Sequence, residues 1–216
     1  MSAISFIFSL IFSVIWVTSV YFDVKFQPRL GHDWYIYKLI MLTNLNFILD
    51  TIYSVLVLLS YTGCQRVRNL VDYLFFTSVF PIALITCGLF WGLYAIEPAL
   101  VMPDWVAKLI PGWLNHVTHT LPVVFVYADA YFHQRSPPTN RSALKVSATL
   151  VAVYFVIIFY VRFFDGYWLY PLLELFSNTH FILAYFAGVL GFFGLTQAAK
   201  LTNWLFWRAN KKLKQK

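Results

Sequence analysis

The decapeptide PGWLNHVTHT, Pro111 to Thr120, places Asn115, His116, Thr118, His119 and Thr120 at the mouth of an apolar segment. An imidazole supplies a general base of suitable pKa. Far upstream, Thr43, Asn46 and Asp50 are spaced three and four apart, so on a helix they line one face. A threonine hydroxyl is a poor nucleophile until a base takes its proton, and a hydroxyl facing an imidazole is the smallest arrangement that does this. Thr43 and His119 are therefore the candidate catalytic pair. Asn46 and Asn115 are candidates for orienting the imidazole or donating to an oxyanion, with His116 beside them. Pro122 has no N–H and so frees the carbonyl of Thr118, which could fix the tautomer of the imidazole.

The elements that must position these groups follow from composition. The chain has 216 residues, of which 60% are hydrophobic, 20% aromatic and only 12% charged. A soluble domain carries about a quarter charged residues, and this chain has too little polar surface to cover itself in water. It is expected to be an all-α integral membrane protein. A span needs about 20 mostly apolar residues, and six stretches qualify, at 3–22, 36–61, 71–95, 113–133, 145–164 and 181–199. Short connections make 1–216 one helical domain with a basic tail at about 200–216. The first span lacks a basic leader and is long for a signal peptide, so an uncleaved helix is expected.

Of the sixteen Lys and Arg residues, eleven fall on the side that holds both termini, including Arg66, Arg68, Arg135, Arg141 and the tail. Both termini are thus expected to be cytosolic. The closing KLKQK resembles a di-lysine retrieval signal, which points to the endoplasmic reticulum, with the plasma membrane as the other destination. The sequon Asn140-Arg141-Ser142 then lies in the cytosol and stays unmodified. The net charge of +7 is concentrated in the tail and suits anionic lipid, not nucleic acid. Cys64 and Cys87 differ in expected depth, so neither a disulfide nor a Cys-based metal site is implied.

Depth brings the candidates together. A second span entered near residue 36 puts Thr43 about 10 Å in, and a fourth entered near 113 puts His119 about 9 Å in, from the same face. Asp50 and Asp129 both fall about 20–25 Å in, so a second polar layer of paired carboxylates, or their hydrogen-bonded equivalents, is expected near the cytosolic end. Between the last two spans, FFDGYWLYPLLELF (163–176) reads as an interfacial or re-entrant cover from which Glu174 or nearby His180 could reach the pocket.

Each residue also has a simpler reading. Membrane threonines commonly bond back to their own helix, interfacial histidines to headgroups, and Glu174 to water. Two other function classes compete. His116, His119 and His180 could hold a haem or metal in a redox protein. Asp50 and Asp129 could serve a non-catalytic lipid or ion transporter, although no inverted repeat is visible.

PGWLNHVTHT, YWLYPLLE before the last span and the pair Leu42-Thr43 together resemble the androgen-induced protein family, which includes the androgen-dependent TFPI-regulating protein. The resemblance covers about residues 36 to 200. It implies a multi-pass threonine hydrolase, without cofactor, acting on a membrane lipid: a fatty-acid ester of a hydroxy fatty acid. The family's nucleophile falls on Thr43 and its essential histidine on His119. No third member of a triad is evident.

Overall fold

A computed structural model describes residues 2–26, 38–102 and 104–213. Among them there is no β-strand, and the chain forms a helical integral membrane bundle. Its helices are α1 (Ala3–Phe26), α2 (Leu42–Ser60), α3 (Gln65–Ile96), α4 (Gly112–His119), α5 (Leu121–Phe132), α6 (Asn140–Asp165) and α7 (Asn178–Leu213). Five of these, α1, α2, α3, α6 and α7, are long and apolar enough to cross a membrane. The stretch expected as the fourth span is instead two shorter helices, α4 and α5, broken at Thr120. Residues 36 and 37 of the expected second span, together with Arg29, Lys214 and Lys216, lie outside the described residues.

The burial pattern is that of a protein solvated by lipid. In α1 the buried face is Ser5, Ser9, Ser13, Trp16 and Ser19, while Ile4, Ile7, Ile11 and Val14 point outward. Serines four apart stack on one helix face, and small residues there let helices approach closely. That face packs on α2, where Trp16 meets Phe47 edge-on at 5.9 Å. Phe75, Phe80 and Phe125 complete an aromatic centre around Tyr53. In α3 a π-helical turn at Phe75–Val79 precedes Pro81. An extra residue per turn relieves the clash that the proline ring would make with the preceding turn. The last helix continues well beyond 199, carrying the first part of the expected tail as helix to Leu213.

Candidate active site

The start of α2 differs from the sequence expectation. Met41 is extended (φ −65°, ψ 137°) and the helix begins at Leu42, so Thr43 stands in its first turn, half-buried. A helix N-terminus has unsatisfied N–H groups and a partial positive charge. Met41 supplies no side-chain cap. Two phenols do so instead: the Leu42 N–H points at the hydroxyls of Tyr154 (3.0 Å) and Tyr170 (3.1 Å), which are themselves 2.7 Å apart.

His119 is held from the other side of the site. It is the last residue of α4, because Thr120 departs from helical geometry (φ −115°) and Pro122 lies in the first turn of α5. Its Nδ1 is 3.1 Å from the Asn115 carbonyl and 3.0 Å from Thr118 Oγ1. The Thr118 hydroxyl donates to the Leu114 carbonyl at 3.0 Å, which leaves its oxygen to accept. Both neighbours of Nδ1 are thus acceptors, and the proton belongs on Nδ1. Nε2 keeps its lone pair and faces Thr43 Oγ1 at 3.2 Å. The ring stacks on Phe90 with centroids 3.6 Å apart and planes within 17°. A hydroxyl, an imidazole whose free lone pair faces it and an aromatic face stacked on that ring are therefore in one place, the arrangement a nucleophile and its base would need.

The carbonyl that sets the tautomer is thus Asn115's, one turn before the imidazole, and not Thr118's as the position of Pro122 suggested. The Asn115 side chain leaves its Oδ1 buried without a partner. Asn46 is fully buried one turn below Thr43, but its amide donates to Asp50 Oδ2 (3.1 Å), not toward His119. His116 is exposed. It stacks on Trp91, and its Nδ1 is 3.1 Å from the Thr120 hydroxyl, which accepts from the Trp91 indole N–H. Glu174 is exposed on the turn Pro171–Leu175, and no hydrogen bond or ion pair joins it to Thr43 or His119 among the described residues. His180 caps α7: its Nδ1 accepts from the Ser177 N–H (3.1 Å), while its own N–H donates to Ser177 Oγ (3.4 Å). The structure brings together Thr43, His119 and the main chain of Asn115. Asn46, His116 and His180 have other neighbours, and Glu174 is exposed.

Three residues at the site were not singled out in the sequence. Tyr154 and Tyr170 lie on α6 and in the following loop, and Phe90 lies on α3. Tyr170 falls within the quoted YWLYPLLE, the one signal that could have found it. Burial pushes the Tyr170 phenol up from its ordinary value, which keeps it a neutral donor.

The second polar layer takes the hydrogen-bonded form of the expectation and not the paired one. Asp50 and Asp129 are not paired with each other. Asp129 accepts a bidentate pair from Arg135 (2.8 and 2.7 Å) and a bond from Tyr53 (2.9 Å), with His133 Nδ1 also 2.9 Å away. Arg135 reaches on to Asp72 at 3.3 Å, and its guanidinium lies over Tyr53 and Phe75. Its charge, expected in a loop, is buried. Among the described residues no three His, Cys, Asp or Glu side chains converge as a metal site would require.

A model of the FAR-17a/AIG1-like protein family matches residues 4–203. The chain belongs to this family. It is 28% identical to the human androgen-induced gene 1 protein over 110 residues, 51% of this chain and 46% of that protein. It is 31% identical to the human androgen-dependent TFPI-regulating protein over 138 residues, 60% of each. With the rat form of the latter it shares 26% over 145 residues, 67% of this chain and 63% of that protein. The matches thus span about half to three-fifths of these relatives' lengths. No solved structure matches the chain.

Proposed function

We propose that this family member is a membrane-embedded threonine hydrolase that cleaves branched fatty-acid esters of hydroxy fatty acids. The observation that carries the reading is the Thr43 Oγ1–His119 Nε2 contact of 3.2 Å, with the Nδ1 proton turned toward the Asn115 carbonyl and Thr118. The family resemblance supplies the substrate class. Thr43 Oγ attacks the ester carbonyl while its proton passes to His119 Nε2. The tetrahedral intermediate collapses, the alkoxide of the hydroxy fatty acid departs, and His119 returns the proton to it. A water molecule, deprotonated by His119, then attacks the acyl-threonine, releasing the fatty acid and restoring the Thr43 hydroxyl. The first turn of α2 lends its positive end to the charge that develops near Thr43. With α4 and α5 crossing together as one broken span and both termini cytosolic, the pair lies toward the non-cytosolic face of an endoplasmic-reticulum or plasma membrane, where the ester of a membrane lipid meets water. Sugar on Asn140 would reverse that orientation.

The test is hydrolysis of a branched fatty-acid ester and labelling by a fluorophosphonate, in detergent-solubilised membranes, for wild type, Thr43→Ala and His119→Ala. Wild-type turnover and labelling, with hydrolysis falling at least about 10³-fold in both variants at equal expression, is the expected result. An inactive, unlabelled wild type, or variants that match it, would sink the reading.

A further inference from the structure

The Thr43–His119 pair accounts for a nucleophile and a base but not for the oxyanion that an attacked ester develops. Such an oxygen needs preorganised donors beside the nucleophile. The amides of Asn46 and Asn115 were the candidates. The Asn46 amide, however, donates to Asp50, and Asn115 acts on the imidazole through its main chain.

Another donor stands at the start of α2. Tyr154 and Tyr170 together hold two hydroxyl protons. One is used between the two phenols, across their 2.7 Å contact. Toward Leu42 both phenol oxygens are acceptors, because the group facing them is an N–H. One phenol proton is therefore left with no acceptor among the described residues. Both rings are half-buried, and no group among the described residues takes this O–H. It sits at the N-terminal end of α2, one residue from Thr43, whose Cα–Cβ bond tilts toward that same end. A spare donor of this kind, beside the proposed nucleophile and at the positive end of a helix, suits an acceptor oxygen that arrives with the substrate.

We infer that the Tyr154–Tyr170 pair is the oxyanion donor of the hydrolase, its spare O–H reaching the ester carbonyl oxygen as Thr43 attacks. This rests on the hydrolase reading above. As the carbonyl becomes a tetrahedral oxyanion, the spare phenol proton bonds to it, and the second phenol supports the first through their shared bond. Neither phenol transfers its proton. When the intermediate collapses, the oxygen reverts to a carbonyl and the donor is free again. The arrangement is redundant by construction, because either phenol alone still accepts from Leu42 and still has an O–H to give.

That redundancy sets the test. Tyr154→Phe, Tyr170→Phe and the double variant are assayed on the branched ester beside wild type and Thr43→Ala. Each single variant should keep kcat within about tenfold of wild type, and the double should fall about 10²–10³-fold, the size of losing an oxyanion donor, with KM nearly unchanged. A trifluoromethyl ketone, whose threonine adduct carries an oxyanion, should lose affinity for the double variant by a similar factor. Binding of the product fatty acid should not move. A folded double variant with kcat within threefold of wild type, or with its loss confined to KM, would overturn the assignment. Should the double variant lose its thermal transition, O-methyltyrosine at position 170 in the Tyr154→Phe background takes its place. It keeps an acceptor for Leu42 but has no proton to give. The same collapse in kcat supports the pair, and activity equal to Tyr154→Phe overturns it. The two readings fail differently: a wild type with no Thr43-dependent turnover removes the hydrolase and the oxyanion donor together, whereas an active wild type with indifferent phenols removes only the donor.

Discussion

Two polar layers lie inside this apolar bundle, and they are built on opposite principles. Around Asp129 the charges are paired: the carboxylate takes two bonds from Arg135 and one from Tyr53, and Arg135 is shared with Asp72. The His133 carbonyl takes the Asn203 amide, and its Nε2 faces the Tyr61 hydroxyl at 2.9 Å. The layer thereby joins α2, α3, α5 and α7. Around Thr43 there is no ion pair among the described residues: the imidazole faces a hydroxyl, and one phenol proton has no acceptor among those residues. Buried polar groups are normally paired, and on the hydrolase reading proposed above the spare phenol proton falls in the layer where the chemistry occurs.

The largest effect on stability should come from the charge-paired layer. Asp129→Ala removes the bidentate partner of the buried Arg135 and leaves it the single 3.3 Å bond to Asp72, and breaking a buried pair in this way costs up to about 3–5 kcal/mol. The expected result is a strongly lowered melting temperature in detergent, with activity lost only in proportion to unfolded protein. Replacing both partners with apolar residues, Asp129→Leu with Arg135→Met, should recover much of the loss, since no lone charge remains. Thr43→Ala is the mirror image, abolishing turnover while leaving the melt unchanged. An Asp129→Ala protein that melts like wild type yet cannot hydrolyse the ester would move the chemistry to the wrong layer and break the comparison.

A smaller effect sharpens it from the reactive side. Phe90 is buried and stacks face to face on His119. Phe90→Leu keeps the site apolar but removes the flat surface against which the imidazole is held. Ring stacking of this kind is worth about 0.5–1.5 kcal/mol. If that energy is spent on holding the ring, kcat should fall about three- to tenfold with the pH dependence of the rate unchanged in form. A rate equal to wild type would mean that the Asn115 carbonyl and Thr118 suffice to position the base.

These contrasts also show what the sequence could convey. Long apolar stretches gave away the membrane bundle, because lipid-facing helices need no periodicity to be read. Thr43 and His119 were legible from depth counted along two helices, even though α2 begins at Leu42 and puts Thr43 nearer the helix end than that count assumed. Asn115 was read as a side chain, but it acts through its carbonyl, which every residue possesses and no sequence pattern marks. Tyr154 and Tyr170 were lost among fourteen tyrosines, since nothing local reveals that two of them converge on one N–H. Arg135 was counted as a loop charge because its partner Asp129 precedes it across the end of α5, where chain direction cannot be foreseen. Main-chain roles and tertiary pairings between loops and helices are the part that requires coordinates.

The smallest expected effect concerns a histidine that sequence alone placed near the chemistry. His180 and Ser177 form a reciprocal cap at the start of α7, with the imidazole in the role that a glutamate or glutamine fills in the usual capping box. Ser177→Ala should cost about 1 kcal/mol, typical of a lost cap, read as a shift of a few degrees in the melt. His180→Ala should do no more, and neither should change kcat for the branched ester, because this imidazole already spends its Nδ1 on the chain that precedes its own helix. A large loss of turnover in His180→Ala at unchanged stability would show that the loop between α6 and α7 delivers its histidine to the substrate. The division between a layer that holds the fold and a layer that does chemistry would then have to extend beyond Thr43 and His119 to the outer surface of the bundle.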